Sequence, residues 1–95
     1  METTVLETYR EQVERKLHEK DFPYLNVLKQ DIHLIIYSEQ KGKKAYRVRF
    51  TWIGQDTFEL ELELGRRWQS TFFTGTVSEL MEILIEQFPF ALVEW

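Results

Sequence analysis

Two runs of alternating residues constrain this chain more than anything else in it. Tyr46, Val48, Phe50 and Trp52 alternate with Arg47, Arg49 and Thr51. Phe58, Leu60, Leu62 and Leu64 alternate with Thr57, Glu59, Glu61 and Glu63. A period of two sends successive side chains to opposite faces, so each run is a strand with one apolar and one wet face. Little more than Gly54-Gln55-Asp56 separates them, which makes the pair a hairpin with glycine available for positive φ. Placing all apolar residues on one side sets Trp52 opposite Phe58 and Ile53 opposite Thr57. Arg49 then faces Glu61 and Arg47 faces Glu63, each pair worth ~0.2–1 kcal/mol. Charge played no part in choosing that register, so its agreement supports it.

The remaining elements follow from the same reading. Thr4-Val5-Leu6-Glu7 has the pattern of a capping box, followed by a stripe of Val5, Leu6, Tyr9, Val13 and Leu17 at helical spacing. Pro23 ends that helix near Lys20. Ile32, Leu34 and Ile36 supply a strand before the hairpin, and Trp68 to Thr74 one after it. Taking Gly65-Arg66-Arg67 as the last turn sets Leu64 opposite Trp68 and Leu60 opposite Phe72. Thr76-Val77-Ser78-Glu79 is a second capping box, opening a helix that turns Val77, Leu80, Met81, Leu84, Ile85 and Phe88 inward and stops at Pro89.

The expected fold class is α+β in two layers, α-β-β-β-β-α. Its sheet is a four-stranded antiparallel meander in order 1-2-3-4, with both helices on one face. Residues 24–28 or 90–95 can add an edge strand. Residues 1–95 read as one domain, since 95 residues suit a single core and 15% aromatic content is far above that of disordered chains. The open sheet face is expected to carry His33, Ile35, Tyr37, Arg47, Arg49, Thr51, Glu59, Glu61, Glu63, Gln69, Thr71 and Phe73.

Function is limited mainly by exclusion. The absence of cysteine removes disulfides, thiolate chemistry and Cys-ligated zinc. His18 and His33 lie on different elements with no metal-ligand spacing, and no serine sits in G-x-S-x-G. Glu59, Glu61 and Glu63 alternate onto the wet face beside arginines, which keeps them ionised and unsuited to general-acid work. The chain is therefore expected to have no catalytic residues, no metal and no cofactor. No apolar run reaches the ~20 residues that span a membrane, and Met1-Glu2-Thr3-Thr4 lacks a signal-peptide pattern. The expected compartment is the cytoplasm.

Net charge is −4, but it is unevenly spread. Residues 41–67 hold seven basic and four acidic groups, whereas residues 68–95 hold four acidic and no basic ones. Turns one and three of a meander share an end, which gathers Lys41, Lys43, Lys44, Arg66 and Arg67 into a basic patch. Tyr37 and Phe73 on the open face, and Trp95 in the apolar tail, are the expected contact aromatics. The function expected is a small non-enzymatic protein–protein interaction module, a regulator or adaptor, working as a homodimer. Its partner is a protein or a second copy rather than a membrane. One alternative is nucleic-acid binding through the basic end. Another is a small-molecule site between sheet and helices, where parity turns Ser70 and Thr74 inward.

Overall fold

The structure, a computed structural model, describes residues 2–93, with side chains from Val5 onward. Its elements in order are α1 (Glu2–Glu19), β1 (Asn26–Gln30), β2 (His33–Gln40), β3 (Lys43–Gly54), β4 (Thr57–Leu64), β5 (Arg67–Gly75) and α2 (Val77–Gln87). A 3-10 turn follows over Pro89–Ala91. The strands form one antiparallel sheet in the order β1-β2-β3-β4-β5. The α+β meander is as expected, with five strands instead of four. The added edge strand comes from residues 26–30, overlapping one of the two anticipated places, 24–28, and running two residues past it. The other place, 90–95, forms no strand among the described residues: Pro89 lacks the N–H a ladder needs and begins the 3-10 turn.

Both helices lie on one sheet face. Leu6, Val13 and Leu17 of α1 and Leu80, Met81 and Leu84 of α2 join Val27, Leu34, Ile36, Val48, Phe50, Phe58, Leu60 and Leu62 in one buried cluster. Fully burying such a side chain contributes ~1.5–3 kcal/mol, so this layer carries most of the folding energy. Tyr9 meets Phe58 edge-on at 5.2 Å. The second capping box forms as read: Thr76 Oγ1 accepts from the Glu79 N–H at 3.2 Å, and the Glu79 carboxylate accepts from the Thr76 N–H at 2.9 Å. A Cβ at position 75 would lie 2.6 Å from that carboxylate, which is why glycine stands there. The first box rests on the Thr4 side chain, which lies outside the described side chains. Helix α1 begins at Glu2, placing Thr4 inside it, and Glu7 pairs with Arg10.

Register holds where the alternation is strongest. Trp52 pairs with Phe58, Phe50 with Leu60 and Arg49 with Glu61. Thr57 pairs with Gly54 instead of Ile53, which drops out as a bulge. The β4–β5 connection differs by one residue, and the consequence is large. Gly65 (φ +59°) and Arg66 (φ +71°) form a two-residue turn, and Arg67 pairs directly with Leu64. Positive φ at both central positions matches the twist of the flanking strands. The shorter turn slips β5 by one residue and exchanges its faces. Trp68 and Ser70 pair with Glu63 and Glu61 on the open face, while Phe73 turns inward and meets Phe88 at 6.0 Å.

Candidate functional site

The open face is organised around a cross-strand row. Leu28, Ile35, Arg49, Glu61 and Ser70 pair successively across all five strands. Arg49 Nε donates to Glu61 Oε1 at 2.6 Å, and Thr51 Oγ1 donates to the same oxygen at 2.6 Å. Thr51 has thus used its only proton, so His33 Nδ1, 2.9 Å from Thr51 Oγ1, must be the donor in that contact. The Arg49 guanidinium lies over the Trp68 ring, 4.6 Å from its centroid. Four strands therefore contribute to one connected polar patch: His33, Thr51, Arg49, Glu61 and Trp68.

Its electrostatics follow from half-burial. Burial disfavours the Glu61 carboxylate, but hydrogen bonds from Arg49 and Thr51, with the Arg49 charge, outweigh it and hold its pKa below the ordinary range. Burial also disfavours a charged His33, and Arg49 repels it, so its pKa lies below the ordinary imidazole value. The imidazole is thus neutral near pH 7. Thr51 is no activated nucleophile, because its proton points to a carboxylate already paired with Arg49. The patch is a set of neutralised, mutually oriented groups, which suits recognition more than bond-making.

Strand β5 carries the most unusual backbone. Between the Glu61–Ser70 and Glu59–Thr74 pairs, β5 advances four residues while β4 advances two. This bulge projects Phe72, which is 86% exposed with φ +66°. A bulky residue at positive φ is uncommon and strained. Two hydroxyls brace it: Ser70 Oγ accepts from the Phe72 N–H at 2.9 Å, and Thr71 Oγ1 accepts from the Phe73 N–H at 3.2 Å. Those bonds occupy main-chain donors that an added strand would need. The opposite edge is closed by α1. There Glu14 accepts from the Val27 N–H (3.1 Å), Arg10 donates to the Val27 carbonyl (3.2 Å) and His18 Nε2 donates to the Leu25 carbonyl (3.0 Å). Arg10, Glu14 and His18 recur every four residues on one helix face, so α1 lies along β1 in place of a sixth strand.

The anticipated contact residues fare differently. Tyr37 is on the open face, with Lys44 Nζ 5.6 Å from its ring centroid. Phe73 is partly buried against the core, not on the open face, because of the shorter turn. Trp95 lies outside the described residues. Lys41, Lys43, Lys44, Arg66 and Arg67 are all exposed, at the sheet end shared by the β2–β3 and β4–β5 turns. Ser70 and Thr74 pair with Glu61 and Glu59, so neither points toward the helices. The layer between sheet and helices is filled by residues such as Phe50, Phe58 and Leu80, each without exposure.

Arg47 is the largest correction. It was expected on the wet face opposite Glu63, yet it is 3% exposed on the helix side. A bulge between the Ile36–Val48 and Tyr37–Tyr46 pairs makes Arg47 the extra residue and turns it inward. Its guanidinium donates to Ser38 Oγ from two nitrogens (3.1 and 3.0 Å) and to the carbonyls of Ala91 (3.2 Å) and Val93. It lies 5.8 Å from the Tyr24 ring centroid, and the Tyr24 hydroxyl donates to the Leu92 carbonyl. Arg47 therefore fastens the C-terminal segment to the sheet. Alternation alone carried no sign of that bulge.

Among the described residues, no cluster of three or more His, Asp or Glu side chains is arranged to hold a metal ion. No helix there is long and apolar enough to cross a membrane. Compared with protein-family models, with curated proteins and with solved structures, the chain matches none.

Proposed function

We propose that this chain is a small cytoplasmic protein-interaction module, a regulator or adaptor without chemistry of its own, that binds through its open sheet face and the adjoining β5 bulge. One observation carries the reading. Phe72 stands 86% exposed on a strained backbone that two hydroxyls brace, on the strand that also carries Trp68, whose ring lies against Arg49 on the open face. Strain kept at an exposed aromatic has no folding rationale, because the ring buries nothing. Aromatic residues next to arginine are the usual energetic centres of protein interfaces. The pre-paired Arg49–Glu61 and Thr51 groups add a polar surface already neutralised within itself. Docking such a face desolvates few unpaired charges.

The test is affinity capture from the native cell with wild-type, Phe72→Asp and Trp68→Ala baits. A protein retained by the wild type and lost by both variants is the expected result. Identical capture by all three baits, or recovery of nucleic acid alone, overturns the reading. A second reading, nucleic-acid binding, rests on the five exposed cations at one sheet end. It requires binding to mixed RNA and DNA pools at low salt that weakens steeply as salt rises.

A further inference from the structure

We infer that the partner of the open sheet face is a second copy of this chain, stacked face to face with its strands running in the opposite direction. The inference rests on the interaction reading above and identifies the occupant.

The charges of the sheet are ordered along its strands. At the end formed by the β2–β3 and β4–β5 turns, Lys41, Lys44 and Arg66 outnumber Glu39 and Glu63 by one, while Lys43 and Arg67 pair with Gln40 and Leu64 and belong to the helix-bearing face. At the opposite end stand Asp31, Asp56 and Glu59, with no cation among the open-face and turn residues there. Lys29 pairs with Leu34 and belongs to the helix-bearing face. The middle is neutral, since Arg49 and Glu61 pair. The open face is thus a tile with a net positive charge at one end and three negative charges at the other. Such a tile complements itself.

Symmetry then selects one arrangement. Two stacked faces can be related by a two-fold axis in the plane between them, either along the strands or across them. An axis along the strands sets basic end on basic end. An axis across the strands reverses strand direction and sets each basic end over the acidic end of the other copy. It also lays β5 over β5, so that Phe72 reaches toward Trp68 and Arg49 of the second copy. Cation–π and aromatic contacts are available there.

The dimensions suit a stable pair. Five strands at ~4.8 Å spacing and eight residues at ~3.3 Å rise give a face of ~24 by 26 Å. The molecule measures 35 × 26 × 25 Å, in keeping with that footprint. Two such faces bury ~1,200–1,600 Å² in all, inside the standard range for specific interfaces. Edge-to-edge pairing, the other common route for sheets, is obstructed by α1 along β1 and by the bulge on β5.

The experiment is sedimentation velocity on the full chain over a wide protein concentration range, at low and high salt. The wild type should sediment at twice the monomer mass at low salt, and its dissociation constant should rise about tenfold or more in ~0.5 M salt. Lys44→Glu with Arg66→Glu makes both ends acidic, and Asp31→Lys with Asp56→Lys makes both ends basic. Each double variant alone should be monomeric, and a mixture of the two should form a heterodimer. Circular dichroism confirms that each variant is folded, and Asp56→Lys alone serves if Asp31→Lys disturbs its turn. A wild type that is monomeric throughout, a dimer untouched by either reversal, or folded variants that fail to pair when mixed each overturns the inference. A monomeric wild type whose captured partner is still lost on Phe72→Asp overturns the self-pairing alone and leaves the interaction reading standing.

Discussion

Arg47→Ala provides the most direct check on the reasoning, because the sequence pattern and the structure disagree about that residue. On an exposed strand face, opposite Glu63, the substitution removes a solvated pair and costs less than ~1 kcal/mol. In the observed fold it removes a buried cation from Ser38 Oγ and from the Ala91 and Val93 carbonyls. Val93 is half exposed, so water replaces the lost donor there. Ser38 and Ala91 are buried and are left without that donor. An unsatisfied buried group costs ~1–3 kcal/mol, so the two together cost on the order of 3–4 kcal/mol. For a domain of this size, each kcal/mol moves the melting temperature by ~4–8 °C, so a fall on the order of 15–25 °C is expected. Urea and thermal unfolding followed by circular dichroism measure it. Hydrogen exchange should also show amides of residues 88–92 losing protection before the sheet does. Arg47→Met, which keeps the volume, should cost about as much, since the acceptors stay unpaired. A loss below ~1 kcal/mol with an unchanged C-terminal exchange pattern would refute the buried clamp.

Further outcomes follow from the turn, the cap and the open-face network. Arg66→Gly should raise stability by ~0.5–1 kcal/mol in urea unfolding, because glycine carries no penalty at φ +71°. Thr76→Ala should cost ~1 kcal/mol and fray the start of α2, read by amide exchange at Glu79. Stability should fall in two steps on acidification. The folded pKa of His33 is depressed, so its contribution is complete above about pH 6.5 and is lost as pH falls through the lower folded value. Glu61 is likewise depressed, so its contribution is complete above the unfolded value of 4.5 and is lost below it. His33→Asn should remove the first step and Glu61→Gln the second in stability-against-pH profiles. The opposite order, or one unchanged profile for all three proteins, would contradict the network.

How much was legible depends on how each residue's position is enforced. The Trp52–Phe58 and Arg49–Glu61 pairs were readable because seven or eight residues of unbroken alternation leave one register that buries every apolar side chain. The α2 cap was readable because its four residues carry the whole interaction. The functional face was only partly readable. Tyr37 and the basic turns could be found from parity and topology. Phe72 and Trp68 could not, since both depend on a turn of two residues rather than three.

The sequence by itself determined the two-layer α+β meander, the helix-facing side of β4 and of β3 from Val48 onward, and the separation of positive turns from negative ones. These rest on local periodicity and on burial summed over many residues, so no single misplacement overturns them. Tertiary structure alone decided the faces of β5, the inward turn of Arg47 and the exposure of Phe72. Each is set by a bulge or a one-residue change in a turn. Locally such alternatives differ by about a kcal/mol, and the balance is tipped by distant partners: Phe88 for Phe73, and the C-terminal carbonyls for Arg47.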